Sequence, residues 1–274
     1  MDNKKILPIK SDIIFRLFFA DERNSEFLIG FLKSVLHLPD DDYTEIEIAD
    51  PNLLREFAGD KLGIIDVKLK TKSKKIIHIE IQLQVTLELK NRIIFYDAKL
   101  ITEQIGSGDD YDTIKKIISI IITDEDLISS SPRYHHRFTL YDKEADVEFI
   151  DLIESNTLEL SKLPRDTDGT LLYDWAQFIA AESEEELKMV AERNPQVGRA
   201  VVKLVELSAD ERARDLYERR EKERRDENMR TRGALKTQAI DFAKNLLGFG
   251  DPIDKIISVT GLTREEIESL RTTS

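Results

Sequence analysis

The stretch KLGIIDVKLKTKSKKIIHIEIQLQ, residues 61–84, constrains this chain more than any other. Apolar and polar residues alternate along both of its halves, and a switch at every second position marks a strand with one buried face. Ile65, Val67 and Leu69 share one face of the first arm; Ile77, Ile79, Ile81 and Leu83 share the matching face of the second. The other face carries Asp66, Lys68 and Lys70, then His78, Glu80, Gln82 and Gln84. Lys and Ser replace apolar residues around Ser73, which marks the turn. A hairpin symmetric about Ser73 pairs position 66 with position 80, and Lys68 with His78.

That register sets two carboxylates opposite each other, which is destabilising unless something offsets the repulsion. A shared proton, a basic neighbour or a divalent cation would do so. Two carboxylates with carbonyl and water oxygens suit Mg2+ or Mn2+, which prefer hard oxygen ligands. An ion held this way polarises a phosphoryl oxygen and helps activate water. Lysines on the same face would neutralise phosphate. Residues 61–75 hold six lysines (61, 68, 70, 72, 74 and 75) against Asp66, a local patch of about +5 in a chain of net charge −13. His78 beside this site reads as a surface histidine. His135 and His136 point to opposite faces of a strand, which argues against a joint metal site there.

The acidic balance excludes a whole-molecule cationic surface for nucleic acid, so such binding requires a local patch. The absence of cysteine excludes disulfides, Cys-ligated zinc, iron–sulfur clusters and thiol catalysis. The longest nearly pure apolar run, residues 117–122, is too short to span a bilayer. The N-terminus MDNKKILPIK lacks an apolar signal core, so a cytoplasmic protein without membrane contact is expected.

Residues 13–37 carry helical periodicity, with Asp12 where an N-cap belongs. Residues 43–48 read as a short strand, 88–105 as an amphipathic helix and 114–122 as a buried strand. The order predicts an α/β layered domain. Further strands are expected over 134–163 and helices over 171–181 and 184–205. Residues 210–232 are almost all charge of alternating sign, which suits a solvated helical linker. The expected division is 1–207 for the main domain, 208–232 for the linker and 233–274 for a small helical C-terminal region. In that region two short helices flank a turn at residues 260–261, in helix-turn-helix spacing. Its second helix reads TREEIESL, with three glutamates and one arginine, so it suits protein contact or self-association better than DNA reading.

With SDIIFRLFF, GDKLGIIDVKLKT, IIHIEIQLQ, RIIFYDAKLITEQIGSGDDY, IKKIISIII, Trp175 and the terminal TGLTREEIESL, the chain resembles the Rpn family of recombination-promoting nucleases. These are also described as transposases and lie within the PD-(D/E)XK nuclease superfamily. The resemblance implies a restriction-endonuclease-like core of helix, antiparallel strands, helix and strand, with a helical C-terminal extension. It also implies Mg2+-dependent cleavage of DNA. By that likeness Asp66 and Glu80 ligate the metal, helped by the main-chain carbonyl of Ile81. Gln82 stands where the wider superfamily usually has lysine. Glutamine can orient the attacking water but cannot supply charge, which Lys68 would provide from the neighbouring strand.

Three further residues could touch substrate. Asp12 could approach the metal site from the first helix, or simply cap that helix. Arg92 and Tyr96 lie four apart and share a helix face; either that face looks toward the hairpin, or Tyr96 is core and Arg92 its polar rim. Double-strand cutting would need two such cores, which gives the C-terminal extension a homodimerising role. The rival expectations are a nuclease-like fold that binds nucleic acid or a protein without cutting, and a regulator acting through the C-terminal helices.

Overall fold

The structure, a computed structural model, describes residues 5–48 and 66–271. Lys61 and Ile65 of the expected first hairpin arm lie outside the described residues. Two helices come first, α1 (Asp12–Phe19) and α2 (Ser25–Val35), then β1 (Glu47–Ile48), β2 (Val67–Lys70) and β3 (Ile76–Gln82). Helix α3 (Leu89–Thr102) crosses to β4 (Ile117–Thr123), which precedes β5 (His135–Asp142) and β6 (Val147–Glu159). Helices α4 (Leu171–Ala180), α5 (Glu184–Arg193), α6 (Pro195–Ala209), α7 (Glu211–Gly248), α8 (Ile253–Thr260) and α9 (Arg264–Arg271) complete the chain. The fold is mixed α/β with a helical C-terminal part.

Among the described residues the strands form one six-stranded sheet in the order β1-β2-β3-β4-β6-β5. β2 and β3 pair antiparallel, with Lys68 opposite His78, the register implied by a turn at Ser73. β3 pairs parallel with β4, a geometry that requires a crossover, and α3 supplies it. The turn is tied to an acidic 3-10 segment, Asp40–Tyr43: Asp42 accepts from the Ser73 amide at 3.2 Å and from Lys75 Nζ at 2.5 Å.

Alternation decides which side chains enter which core. Ile77, Ile79 and Ile81 of β3 join Ile118, Ile120 and Ile122 of β4 against Phe15, Phe18, Phe19, Phe31 and Trp175. On the opposite face Ile117 packs with Leu100 of α3, and Ile121 with Leu89 and Ile93. β4 is therefore buried on both sides, as its run of β-branched residues implies.

Several expected elements divide. The single helix expected over 13–37 is two, because the Asn24 side chain donates to the Phe18 carbonyl at 2.9 Å and turns the chain. The helix expected over 184–205 breaks at Pro195, which starts α6 behind an Asn194 cap accepting from the Gln196 amide at 3.0 Å. Of the strand expected over 43–48, only Glu47–Ile48 forms.

The chain divides into two compact units, Met1–Tyr217 and Glu218–Ser274. The second unit has its own small core of Ala243, Ile256, Leu262 and Ile267. Gly261 ends α8 with a φ of 70°, a left-handed cap that favours glycine. Among the described residues no helix is long and apolar enough to cross a membrane.

Candidate active site

Asp66 stands just before β2, and its amide donates to the Ile79 carbonyl at 3.1 Å. Its carboxylate Oδ2 accepts from the Ile81 amide at 2.8 Å, so the side chain itself ties the entry of β2 to β3. Asp66 is buried, and that desolvation pushes its carboxyl well above the usual carboxylate range. The Ile81 amide pulls it back, while the charges of Asp12 and Glu80 push it further up; Arg16 of α1 pulls it down.

Glu80 lies on β3 and is also buried. Its carboxylate accepts a short hydrogen bond from Arg92 Nη2 of α3. The same nitrogen donates to Gln82 Oε1 at 2.8 Å. Of the two orientations open for Arg92, the structure shows the one directed at the hairpin, where the guanidinium bridges Glu80 and Gln82. Tyr96, one turn along α3, is buried, with its ring edge-on to Phe95 at 5.8 Å.

Asp12 is not the cap of α1. That position belongs to Ser11, whose carbonyl accepts from the Phe15 amide at 2.8 Å. Asp12 is the first helical residue, its Oδ1 accepts from the Ile13 amide at 2.8 Å, and its charge reaches Asp66. Lys68 is largely buried, with Nζ 3.7 Å from Glu103 Oε2 at the end of α3.

Two expectations are corrected. His78 is not on the surface: α3 covers the polar face of the hairpin and leaves the histidine fully buried. The basic patch is also smaller than composition implies. Lys72 pairs with Asp41 at 2.8 Å and Lys75 with Asp42, so the acidic 3-10 segment absorbs two of its charges. Lys70 and Lys74 remain exposed. Lys116 is buried between Asp151 at 2.5 Å and Glu154 at 2.7 Å.

Sequence reasoning missed Arg16 and Asp97. Arg16 lies four residues after Asp12, one turn along the same helix face, and that spacing was an available signal. Asp97, an acid on the apolar side of an amphipathic helix, stood out only against its neighbours.

The residues present fit a hard divalent cation. Asp66, at the entry of β2, and Glu80 of β3 are both buried, Asp66 accepts from the Ile81 amide, and burial together with the charges of Asp12 and Glu80 leaves Asp66 short of positive charge. Among the described residues no group of three or more His, Cys, Asp or Glu gathers to hold a metal, so a bound ion would need carbonyl and water oxygens to complete its shell.

A hairpin carrying two buried carboxylates leads through a crossover helix into a parallel strand, the element order expected of a nuclease-type core. The chain belongs to the PD-(D/E)XK nuclease family of transposases, whose family model matches residues 9–234. No curated protein and no solved structure matches the chain.

Proposed function

We propose that this protein is a Mg2+- or Mn2+-dependent endonuclease that hydrolyses phosphodiester bonds in cytoplasmic DNA, in recombination, mobile-element movement or defence. The observation that carries this reading is the pair Asp66 and Glu80, buried together with their charges opposed. Asp66, Glu80 and the main-chain carbonyl of Ile81 would hold the ion. When bound, the ion would polarise a phosphoryl oxygen and lower the barrier to attack by water.

The remaining work falls to side chains. Gln82, at the exit of β3, orients the attacking water through its amide. Lys68 offsets phosphate charge from β2. Arg92 stands close enough to Glu80 and Gln82 to reach a phosphate at the same centre. Asp12 adds negative charge from α1. Leaving-group protonation comes from solvent.

The test is nicking or linearisation of supercoiled plasmid with Mg2+, comparing wild type with Asp66→Ala and Glu80→Ala. Each substitution should lower the rate by roughly a thousandfold, the scale of several kcal/mol of lost charge stabilisation. Unchanged cleavage in both variants would overturn the assignment. One observation favours a second reading: Arg92 already neutralises Glu80, and glutamine stands at position 82, as a fold that grips DNA without cutting would allow. Mg2+-independent binding with no cleavage by wild type would establish it.

We also assign the C-terminal region a homodimerising role. Phe242, Phe249 and Val259 are exposed there, apolar side chains that a second copy would cover. Sedimentation equilibrium should show a dimer that Phe242→Asp with Phe249→Asp converts to a monomer.

A further inference from the structure

We propose that Arg92 is a resident counter-cation: it holds Glu80 while the divalent ion is absent, releases it when the ion arrives, and so couples ion uptake to phosphate binding. This rests on the metal-site reading given above.

One guanidinium nitrogen serves two acceptors, Glu80 and Gln82. The Glu80 side chain is 4% exposed, that of Arg92 15%, so the contact lies at the inner end of an arm that leads outward. A buried glutamate needs positive charge, and here α3 supplies it from Arg92. A divalent ion at Glu80 needs a carboxylate oxygen at about 2.0–2.1 Å, and Arg92 Nη2 holds one of the two, Oε1. A guanidinium bonded to the same carboxylate would then lie in strongly repulsive range of the ion. The two cations exclude each other at Glu80.

Release asks little of the fold. Arg92 sits in the first turn of α3, where its backbone amide is already satisfied by the Glu88 carbonyl at 2.9 Å. Its Nε is buried with no hydrogen-bond partner, so the contacts to give up are those of Nη2. Once free, the guanidinium presents a planar fork suited to two phosphate oxygens beside the site. Phosphate therefore draws Arg92 from Glu80, and the ion takes its place. Each ligand shifts the same side-chain equilibrium in the same direction, and the coupling must be reciprocal.

The experiment is calorimetric titration of Mn2+ into the full chain at pH 8, without and with a short phosphorothioate DNA duplex. Wild type, Arg92→Met, Arg92→Lys and Asp66→Ala are compared, with melting temperatures in EDTA and in Mn2+ as a second readout. Without DNA, Arg92→Met should bind Mn2+ roughly ten- to a hundredfold more tightly than wild type, the worth of one charged hydrogen bond. DNA should tighten Mn2+ binding more in wild type than in Arg92→Met. The variant should melt below wild type in EDTA and gain more from Mn2+. An arginine that merely braces Glu80 gives the opposite sign, because its loss would weaken ion binding. Equal or weaker Mn2+ affinity in Arg92→Met overturns the proposal. If that variant does not fold, Arg92→Lys decides on the same sign, since a lysine cannot span Glu80 and Gln82 as the guanidinium does. If wild type takes up no Mn2+ and matches Asp66→Ala, the metal-site reading has failed and the role of Arg92 falls with it. If wild type binds through Asp66 yet Arg92→Met is no tighter, the role of Arg92 alone is lost.

Discussion

His78 Nε2 lies 2.8 Å from Asp97 Oδ1, and both side chains are 1% exposed. The other Asp97 oxygen accepts from Ser119 Oγ at 3.4 Å and from Ser155 Oγ at 3.3 Å. His78, Ser119 and Ser155 are side by side on β3, β4 and β6, so one acid on α3 gathers a row of polar groups across the sheet. Apolar contacts flank the row, Leu100 with Ile117 on one side and Ile93 with Ile121 on the other. α3 is thereby held in one register on the hairpin, and Arg92 is carried to Glu80.

Removing one partner from this buried pair should be strongly destabilising. Asp97→Ala is expected to cost about 3 kcal/mol in denaturant unfolding, the usual scale for an uncompensated buried polar partner. His78→Leu together with Asp97→Ala should cost less than the two single losses combined, because the second change removes a group already orphaned. A single-variant loss below about 1 kcal/mol, or strict additivity, would show that α3 is held by its apolar contacts alone.

The hairpin register could be read directly from the sequence, since alternation on two arms and one polar turn leave a single pairing that keeps Ile77, Ile79 and Ile81 inside. Alternation separates two faces, however, without showing what covers them. His78 looked solvent-facing because its neighbours Lys68 and Glu80 are charged, and only the docking of α3 seals it. The same limit hid the bridge from Arg92 to Glu80: helical spacing related Arg92 to Tyr96 but not to a strand ten or more residues away. The split between α1 and α2 depends on the Asn24 side chain bonding the Phe18 carbonyl, a contact that periodicity does not encode. Composition likewise counted Lys72 and Lys75 as free charge, although a distant acidic segment neutralises them.

Asp66→Asn should separate stability from activity. Burial and the neighbouring acids Glu80 and Asp12 hold the Asp66 carboxyl well above its ordinary range, so its ionised form opposes folding at neutral pH. A neutral amide of the same shape can still accept from the Ile81 amide. The metal-free variant should melt higher than wild type, by roughly 2–4 °C for about 1 kcal/mol in a chain of this size. Cleavage should collapse at the same time. A lower melting temperature in EDTA would mean that the carboxylate is a net stabiliser.

Lys68 and Lys72 both belong to the lysine-rich run over residues 61–75 but have different surroundings. Lys68 is largely buried near Glu103, whereas Lys72 is a partly exposed residue paired with Asp41. Lys68→Ala should lower plasmid cleavage by roughly ten- to a hundredfold, the range for losing one charged group near a developing phosphoryl charge. Lys72→Ala should leave both cleavage and stability near wild type, as expected for a surface pair. Equal losses in the two variants would remove Lys68 from the mechanism.

Glu154 gives the fold a specific acid sensitivity away from the proposed site. Burial alone would raise its carboxyl, but hydrogen bonds from Arg137 at 2.9 Å, Asn156 at 3.0 Å and Lys116 at 2.7 Å bring it down to about 2. A carboxyl depressed in the folded state stabilises that state fully above its unfolded value, near 4.5, and loses the contribution as pH falls toward 2. The amount at stake is about 3 kcal/mol, at 1.36 kcal/mol for each unit of depression. Denaturant midpoints measured from pH 5 down to pH 2 should fall steeply for wild type. For Glu154→Gln the profile should start lower and be flatter across the same window. Parallel profiles for the two proteins would show that Glu154 is bound no more tightly in the folded chain than in the unfolded one.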